Sequence, residues 1–295
     1  MKSIIGIDTG GTYEPAVKLF ARLKFPNPDV TMLNVADLVL PYTSFAMPPT
    51  VEPMNQIVEG LRQAGETAVG EAAKIAEGYG LAAKTEVVSG PSVLTLLDRA
   101  DDLGVDILTV ASTRKGTLAT MFTGSMSRSI VTGSRHTVLV AKEGVRDQGP
   151  VEVVLATDHS PYMERAVERL IALAPQGISK IHVVTAYEVS DKEAALLHAN
   201  LPALEGHIEK WIEGELQKKC ESLVGLLSQS GYEADYELTA GNPNNAIRQA
   251  MEKTGSELLI LGAQGHGFIE RLFVGSVSFH QLVAEPYSVL ILRDQ

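Results

Sequence analysis

Short apolar runs alternate along this chain with longer stretches whose apolar residues fall at helical spacing. In the first half, residues 3–7, 30–35, 84–88, 107–111 and 137–141 read as strands. Between them, residues 14–23, 56–78, 92–100 and 126–131 place apolar side chains three and four apart, the mark of helices buried along one face. The second half gives strands at 151–157, 180–186, 233–238, 258–261 and 288–293, with helices over 163–173, within 195–231, over 245–254 and over 277–284. The run Leu258-Leu259-Ile260-Leu261 has no polar alternation, which suits a strand covered on both faces of a parallel sheet. Strands separated by helices require right-handed crossovers, so each half is expected to be an open five-stranded parallel α/β sheet. Residues 38–51, rich in Pro, Thr and Ser, are expected to form a loop over a cleft.

The two halves repeat each other. A displacement of 150 residues lays Ile4–Asp8 over Val154–Asp158 and so aligns Asp8 with Asp158. From the second strand onward the displacement is 151: Asn34-Val35 meets Thr185-Ala186, Asp106 meets Glu257, Gly124-Ser125 meets Gly275-Ser276, and Val138–Val140 meets Val289–Ile291. A register that slips by one residue over a whole half points to duplication, with domains at 1–145 and 150–295. The joint from Lys142 to Pro150 is polar and short, so the halves are expected to pack together.

The second copy carries the clearest chemistry. After the apolar run come Gly262, Gly265, Gly275 and Ser276, spaced Gly-x2-Gly-x9-Gly-Ser. Backbone N–H groups approach an anion closely only where no Cβ intervenes, and successive N–H groups at a helix start form an anion-binding concavity. A phosphate chain suits such a place. Ser276 adds a hydroxyl, and the positive end of the helix that follows would face the same anion. Ordinary loop glycines are the plain alternative. Asp158 and Gly262 both fall at carboxyl ends of strands, where open α/β sheets bind ligands.

Charge and composition narrow the partners. Lys and Arg total 25 against 36 Asp and Glu, a net charge of −11, which disfavours nucleic acid but leaves local amides able to hold a small anion. Hydrophobic residues at 45% with charged residues at 21% describe a folded chain. No apolar run is long enough for a bilayer and no secretory signal stands at the N-terminus, so no membrane role is expected. The single cysteine, Cys220, can form neither an internal disulfide nor a zinc site, which fits a cytoplasmic location.

With TDHS at 157–160, GNP at 241–243, GAQGHG at 262–267 and VGSVS at 274–278, the chain resembles the universal stress protein family in its tandem form, over essentially its whole length. The resemblance implies two Rossmann-like, adenine nucleotide alpha hydrolase-like units and ATP as ligand, or ADP or AMP, with Mg as a companion ion. It implies that Thr157 and Asp158 lie near the nucleoside and that Ala186 offers backbone contacts to adenine. Gly262, Gln264 and Gly265 would line ribose and phosphates, and Gly275, Ser276 and Val277 would hold the phosphates. The first copy departs from this pattern: Ala111 stands for Gly262 and Arg114 for Gly265, while Asp8, Val35, Gly124 and Ser125 persist as a degenerate counterpart. A Cβ and a long side chain obstruct backbone approach, so one competent site per chain is expected. In the family's manner the last strands, 137–141 and 288–293, would meet edge to edge and protect each other. A homodimer and an unidentified protein partner stay open.

Other signals weigh less. Gly6–Thr12, GIDTGGT, looks like the phosphate hairpin of the sugar-kinase and actin group, but a helical pattern follows it where that motif needs a second hairpin strand. Asp158 reads as a carboxylate that orients a loop or a ribose before it reads as a general base. His266 and His280 have no partner legible in sequence and read as surface or capping residues, so no catalytic residue and no protein-held metal is assigned. On the charged helix near 205–221, Trp211 and Ile212 are expected on the packed side. Three functions follow in order: a nucleotide-binding stress signalling protein, a scaffold that binds no nucleotide, and an enzyme, at most a slow ATPase for want of paired carboxylates or an arginine finger.

Overall fold

The structure, a computed structural model, describes residues 1–37, 51–112, 124–188, 208–263 and 274–293, with residues 51–55 described by backbone alone. The first half runs β1 (Lys2–Gly6), α1 (Glu14–Leu23), β2 (Asp29–Ala36), α2 (Val51–Gly78), β3 (Lys84–Ser89), α3 (Ser92–Leu103), β4 (Ile107–Ser112), α4 (Ser125–Gly133) and β5 (Thr137–Lys142). The second runs β6 (Val151–Ala156), α5 (Pro161–Leu173), β7 (Ile178–Tyr187), α6 (Ile208–Gln229), β8 (Glu233–Ala240), α7 (Pro243–Thr254), β9 (Leu258–Gly262), α8 (Ser276–Ala284) and β10 (Ser288–Leu292). Most elements fall where the apolar pattern puts them. The expected loop over 38–50 lies outside the described residues, and Val51, expected to end it, instead starts α2.

All ten strands form one sheet in the order β3-β2-β1-β4-β5-β10-β9-β6-β7-β8. Every pairing within a half is parallel, and each half is an open five-stranded α/β unit. Alternation along the strands buries both faces: Ile5, Leu139 and Leu290 pack under α1, α2 and α5, whereas Ile4, Val138 and Val289 pack under α3, α4, α7 and α8. Both cores run across the two halves without a break. In each half the chain reverses its direction of travel at the first and fourth strands, β1/β4 and β6/β9, which opens a crevice at their carboxyl ends.

The halves meet where β5 and β10 pair antiparallel, with Val289 opposite Val140 and Ile291 opposite Val138. The contact is reciprocal. The Lys142 N–H donates to Ser288 Oγ at 3.1 Å, and the Arg293 N–H donates to Thr137 Oγ1 at 3.2 Å. Lys142, which reads in sequence as the start of a polar connector, is the last residue of β5 and only 2% exposed.

A second pair of contacts crosses the seam from each half's first helix to the acidic residue that precedes the other half's fourth strand. Arg169 of α5 pairs with Asp106. Burial opposes the Asp106 carboxylate, but the Lys2 amide and the Arg169 guanidinium outweigh it and hold its pKa below the ordinary value. Arg22 of α1 pairs with Glu257 through Nη2–Oε1 at 2.6 Å and Nη1–Oε2 at 2.8 Å. The Arg22 Nε and both Nη atoms also donate to the carbonyls of Gly149, Arg146 and Pro150 in the connector, so all five N–H donors are used. With Arg22 4% and Glu257 9% exposed, neither charge has water to fall back on.

Gly177 closes the same corner. Its N–H donates to Leu23 O at 2.9 Å, and a Cβ added to it would lie 1.7 Å from Arg22 O. Two stability predictions follow from this corner. Arg22→Lys keeps the charge but cannot reproduce the planar fork, and it is expected to lower unfolding free energy by about 3 kcal/mol in urea titrations. A loss no larger than that of Arg169→Lys would contradict a special role for Arg22. Gly177→Ala is expected to cost more than about 2 kcal/mol, whereas Gly70→Ala, within a helix and facing open space, should gain up to about 1 kcal/mol.

Candidate functional site

The loop after β6 is held by its own side chains. The Thr157 N–H extends the parallel ladder to Val184 O at 3.0 Å, and Thr157 Oγ1 accepts from the His159 N–H at 3.0 Å. Asp158 Oδ1 accepts from the Ser160 N–H at 2.9 Å, a local turn that short acidic side chains favour. Ser160 then caps α5 by accepting from the Met163 N–H, with Pro161 in the first turn where its missing donor costs nothing. This tight path places His159 at φ 53° and turns its ring into the interior, 8% exposed.

Behind that loop lies a cluster that sequence reasoning missed. His159 Nε2 is 2.9 Å from Thr185 Oγ1 on β7 and 3.4 Å from Cys220 Sγ on α6, and the Thr185 and Cys220 side chains are themselves 3.4 Å apart. Burial pushes the His159 pKa down to about 4, helped by the charge of Lys219 and opposed by Asp158. Burial raises the Cys220 thiol, against a smaller opposite effect of Thr185. The cluster is therefore a neutral imidazole, a hydroxyl and a neutral thiol at pH 7, which makes it a polar brace and not an activated nucleophile. Its members lie far apart in the chain, and only the histidine belongs to a motif the sequence singles out.

The glycine-rich end is built from β9 and α8. The Ala263 N–H donates to Leu292 O at 3.0 Å, and the Gly275 N–H donates to Ala263 O at 2.8 Å, which pins the two ends of the intervening segment together. Ser278 Oγ donates to Gly262 O at 2.8 Å and ties the first turn of α8 to the end of β9. Gly275 is the N-cap of α8 at φ −59°, a conformation open to any residue, and no side chain caps the helix. The glycine thus supplies absence of bulk, and among the described residues no side chain caps the first-turn amides, which suit an anionic acceptor. Ser276 is exposed and Val277 half-buried there.

The sheet brings these pieces to one edge. Leu155 pairs with Ile260 and Ala156 with Val184, so Thr157, Asp158, Gly262 and Ala186 all lie at the carboxyl ends of β6, β9 and β7, at the reversal point of the second half. Gln264, Gly265 and His266 lie outside the described residues. His280 is exposed on α8.

The first half repeats the frame with different chemistry. Asp8 accepts from the Thr12 N–H at 2.9 Å and from the Thr12 hydroxyl, so its carboxylate serves its own loop. The Gly124 N–H donates to Ser112 Oγ at 3.1 Å, where its counterpart Gly275 uses a backbone carbonyl, and Ser127 Oγ donates to Ala111 O at 3.2 Å. Gly124 again caps its helix without a side chain, with Ser125 exposed behind it. Val35 and Ala111 are half-buried at the same edge, and Arg114 lies outside the described residues.

Trp211 corrects the sequence reading. It is 42% exposed, whereas α6 packs through Ile208, Cys220 and Leu227. Nine residues separate Trp211 from Cys220, and at 3.6 residues per turn that is about half a turn too far.

His159 also sets a pH dependence. Its folded pKa of about 4 lies below the unfolded value near 6.5, so between those values the unfolded chain binds more protons and stability falls with acidification. From pH 7.5 to 5 the contribution is about 2 kcal/mol. The loss of unfolding free energy over that range, measured in urea, should be smaller by this amount in His159→Gln; an equal loss would contradict the assignment.

Comparison with known proteins agrees with this fold. The pattern of the universal stress protein family matches residues 4–142 and again 152–293. Universal stress protein Slr1230 of Synechocystis is 25% identical over 202 residues, which cover 67% of this chain and 62% of that protein. Universal stress protein Sll1388 of the same organism is 23% identical over 152 residues, or 48% of this chain and 97% of that protein. Among solved structures, a universal stress protein from Archaeoglobus fulgidus superposes with a TM-score of 0.69 at 16% identity, covering 100% of this chain and 98% of that one. A putative universal stress protein from Pseudomonas aeruginosa gives 0.64 at 13% identity, covering 99% and 92%. The chain belongs to the universal stress protein family, whose pattern it carries twice in tandem.

Proposed function

We propose that the second half, residues 150–295, binds ATP or a related adenine nucleotide, and that residues 1–145 form a twin domain that does not. The observation that supports this reading is the first turn of α8, an N-terminus that no described side chain caps, at the reversal point of a parallel sheet beside Asp158 and Ala186; α4 offers the same frame, and what separates the halves is Ala111 and Arg114 where the second has Gly262 and Gly265. Phosphates would accept from the amides of Ser276 and Val277, with Gly262 and Gly265 leaving space for the chain of phosphates and the ribose. Occupancy then serves as a signal in a stress response in the cytoplasm, read by a protein partner through the segment between Ala263 and Gly275.

Turnover is slow or absent on this reading. His159 is neutral and engaged with Thr185 and Cys220. On this reading magnesium rides on the phosphates and water.

Calorimetric titration tests the assignment. Wild-type protein is expected to bind ATP, and Gly265→Arg, which installs the side chain the first half carries at Arg114, is expected to weaken it at least about tenfold. Equal binding by both proteins would overturn the site. A thermal midpoint unmoved by ATP, ADP and AMP would favour a scaffold that binds no nucleotide.

A further inference from the structure

The reciprocal seam has a feature that the duplication alone does not require: Lys142, the last residue of β5, and Arg293, directly after β10, each reach the helix that precedes the other half's last strand. Lys142, at the end of β5, donates from Nζ to Leu282 O and to Glu285 O, both at 2.6 Å. Leu282 is in the last turn of α8 and Glu285 is its C-cap. Arg293, displaced from Lys142 by the same 151 residues that relate Thr137 to Ser288, donates from Nη2 to Val131 O in the last turn of α4 at 2.8 Å. Lys142 is 2% and Arg293 3% exposed.

These contacts satisfy carbonyls that a helix leaves unpaired at its end, and they set positive charge against the negative end of the dipole. The arrangement is costly at Lys142. Burial pushes its pKa down to about 7, with Glu285 pulling the other way. The two carbonyls at 2.6 Å hold the Lys142 Nζ in place, and its loss removes one donor from each of them.

A helix of nine residues such as α8 has little stability of its own, so its position comes from the packing of Leu282 and Val277 into the core and from its hydrogen-bonded anchors. At the N-terminal end these are the bonds of Gly275 to Ala263 and of Ser278 to Gly262. Midway, Gln281 Nε2 donates to Asn244 Oδ1 at 3.0 Å. At the far end the anchor is Lys142, the member of this set that belongs to the other half. A binding geometry built on backbone amides tolerates displacements of only about 0.5 Å.

We propose that Lys142 is a positioning residue for the nucleotide site: as the cap supplied to α8 by the first half, it sets where the Ser276 and Val277 amides stand and so makes phosphate binding in the second half depend on the first. The proposal rests on the nucleotide reading above, and the experiment separates the two. Lys142→Met removes the cap, Lys142→Arg retains charge and donors, and Arg293→Met removes the corresponding cap from α4. ATP and adenosine affinities are measured for each by calorimetry, and amide hydrogen exchange is measured without ligand.

Lys142→Met is expected to weaken ATP about tenfold while changing adenosine less than about twofold, because only the phosphates meet α8. Lys142→Arg should recover most of the ATP affinity, and Arg293→Met should leave both affinities unchanged. Amide exchange should rise in α8 for Lys142→Met and in α4 for Arg293→Met. Equal weakening of ATP and adenosine, or the same ATP loss from Arg293→Met, overturns the positioning role, since either would mark general loosening. Should wild-type protein bind no nucleotide, the functional reading fails and the coupling with it, and exchange in α8 alone then decides whether Lys142 is a cap: unchanged exchange would overturn that as well. If Lys142→Met does not fold, Lys142→Gln carries the same comparisons.

Discussion

A guanidinium with no access to water sits where two halves and their connector converge, and much of the architecture follows from having to satisfy it. Arg22 uses its five donors on Glu257 and on three connector carbonyls. The path from β5 to β6 is therefore fixed by side-chain chemistry as much as by its shortness. Gly177 must lack a side chain because the end of α1, held by that network, stands against it. Among the described residues the edges of the ten-stranded sheet are β3 and β8. Charged residues on them, such as Lys84, Glu86, Glu233 and Asp235, discourage further pairing.

The seam also relates structure to function through its reciprocity. Thr137 and Ser288, Asp106 and Glu257, Lys142 and Arg293 are equivalent positions of the repeat, and each contacts the opposite half. A duplicated chain of this kind can let one copy drift in its ligand chemistry while the copy still braces its twin. In the first half Ala111 and Arg114 stand where the second has Gly262 and Gly265, yet the cations and hydroxyls of the seam persist. On the proposed reading the first half contributes placement and the second half contributes binding.

Much of this was legible in the sequence because strand burial and glycine spacing are local signals. Apolar runs locate the strands to within a residue or two, and the displacement of 151 sets Asp106 against Glu257 and Val138–Val140 against Val289–Ile291. What the sequence withheld is three-dimensional. Arg22 and Arg169 are counterparts in space but stand 147 positions apart, off the register of the repeat, so the alignment hid the relation. Lys142 follows an apolar run and precedes a polar one, and nothing local distinguishes a buried cap from the first residue of a linker. The brace of His159, Thr185 and Cys220 joins three separate elements, and Trp211 misled because an aromatic among charges looks like an anchor. At the glycine-rich end the frame of Gly262, Ala263, Gly275 and Ser276 is described, whereas Gln264, Gly265 and their first-half counterpart Arg114 lie outside the described residues.

The most direct measurement is a crystal structure of the full chain grown with saturating ATP. The account predicts one nucleotide per chain, with phosphate density over the amides of Ser276 and Val277, adenine beside Ala186, and none at Gly124-Ser125. Phosphates lodged in the first half, or a bare α8 N-terminus in the presence of ATP, would contradict it.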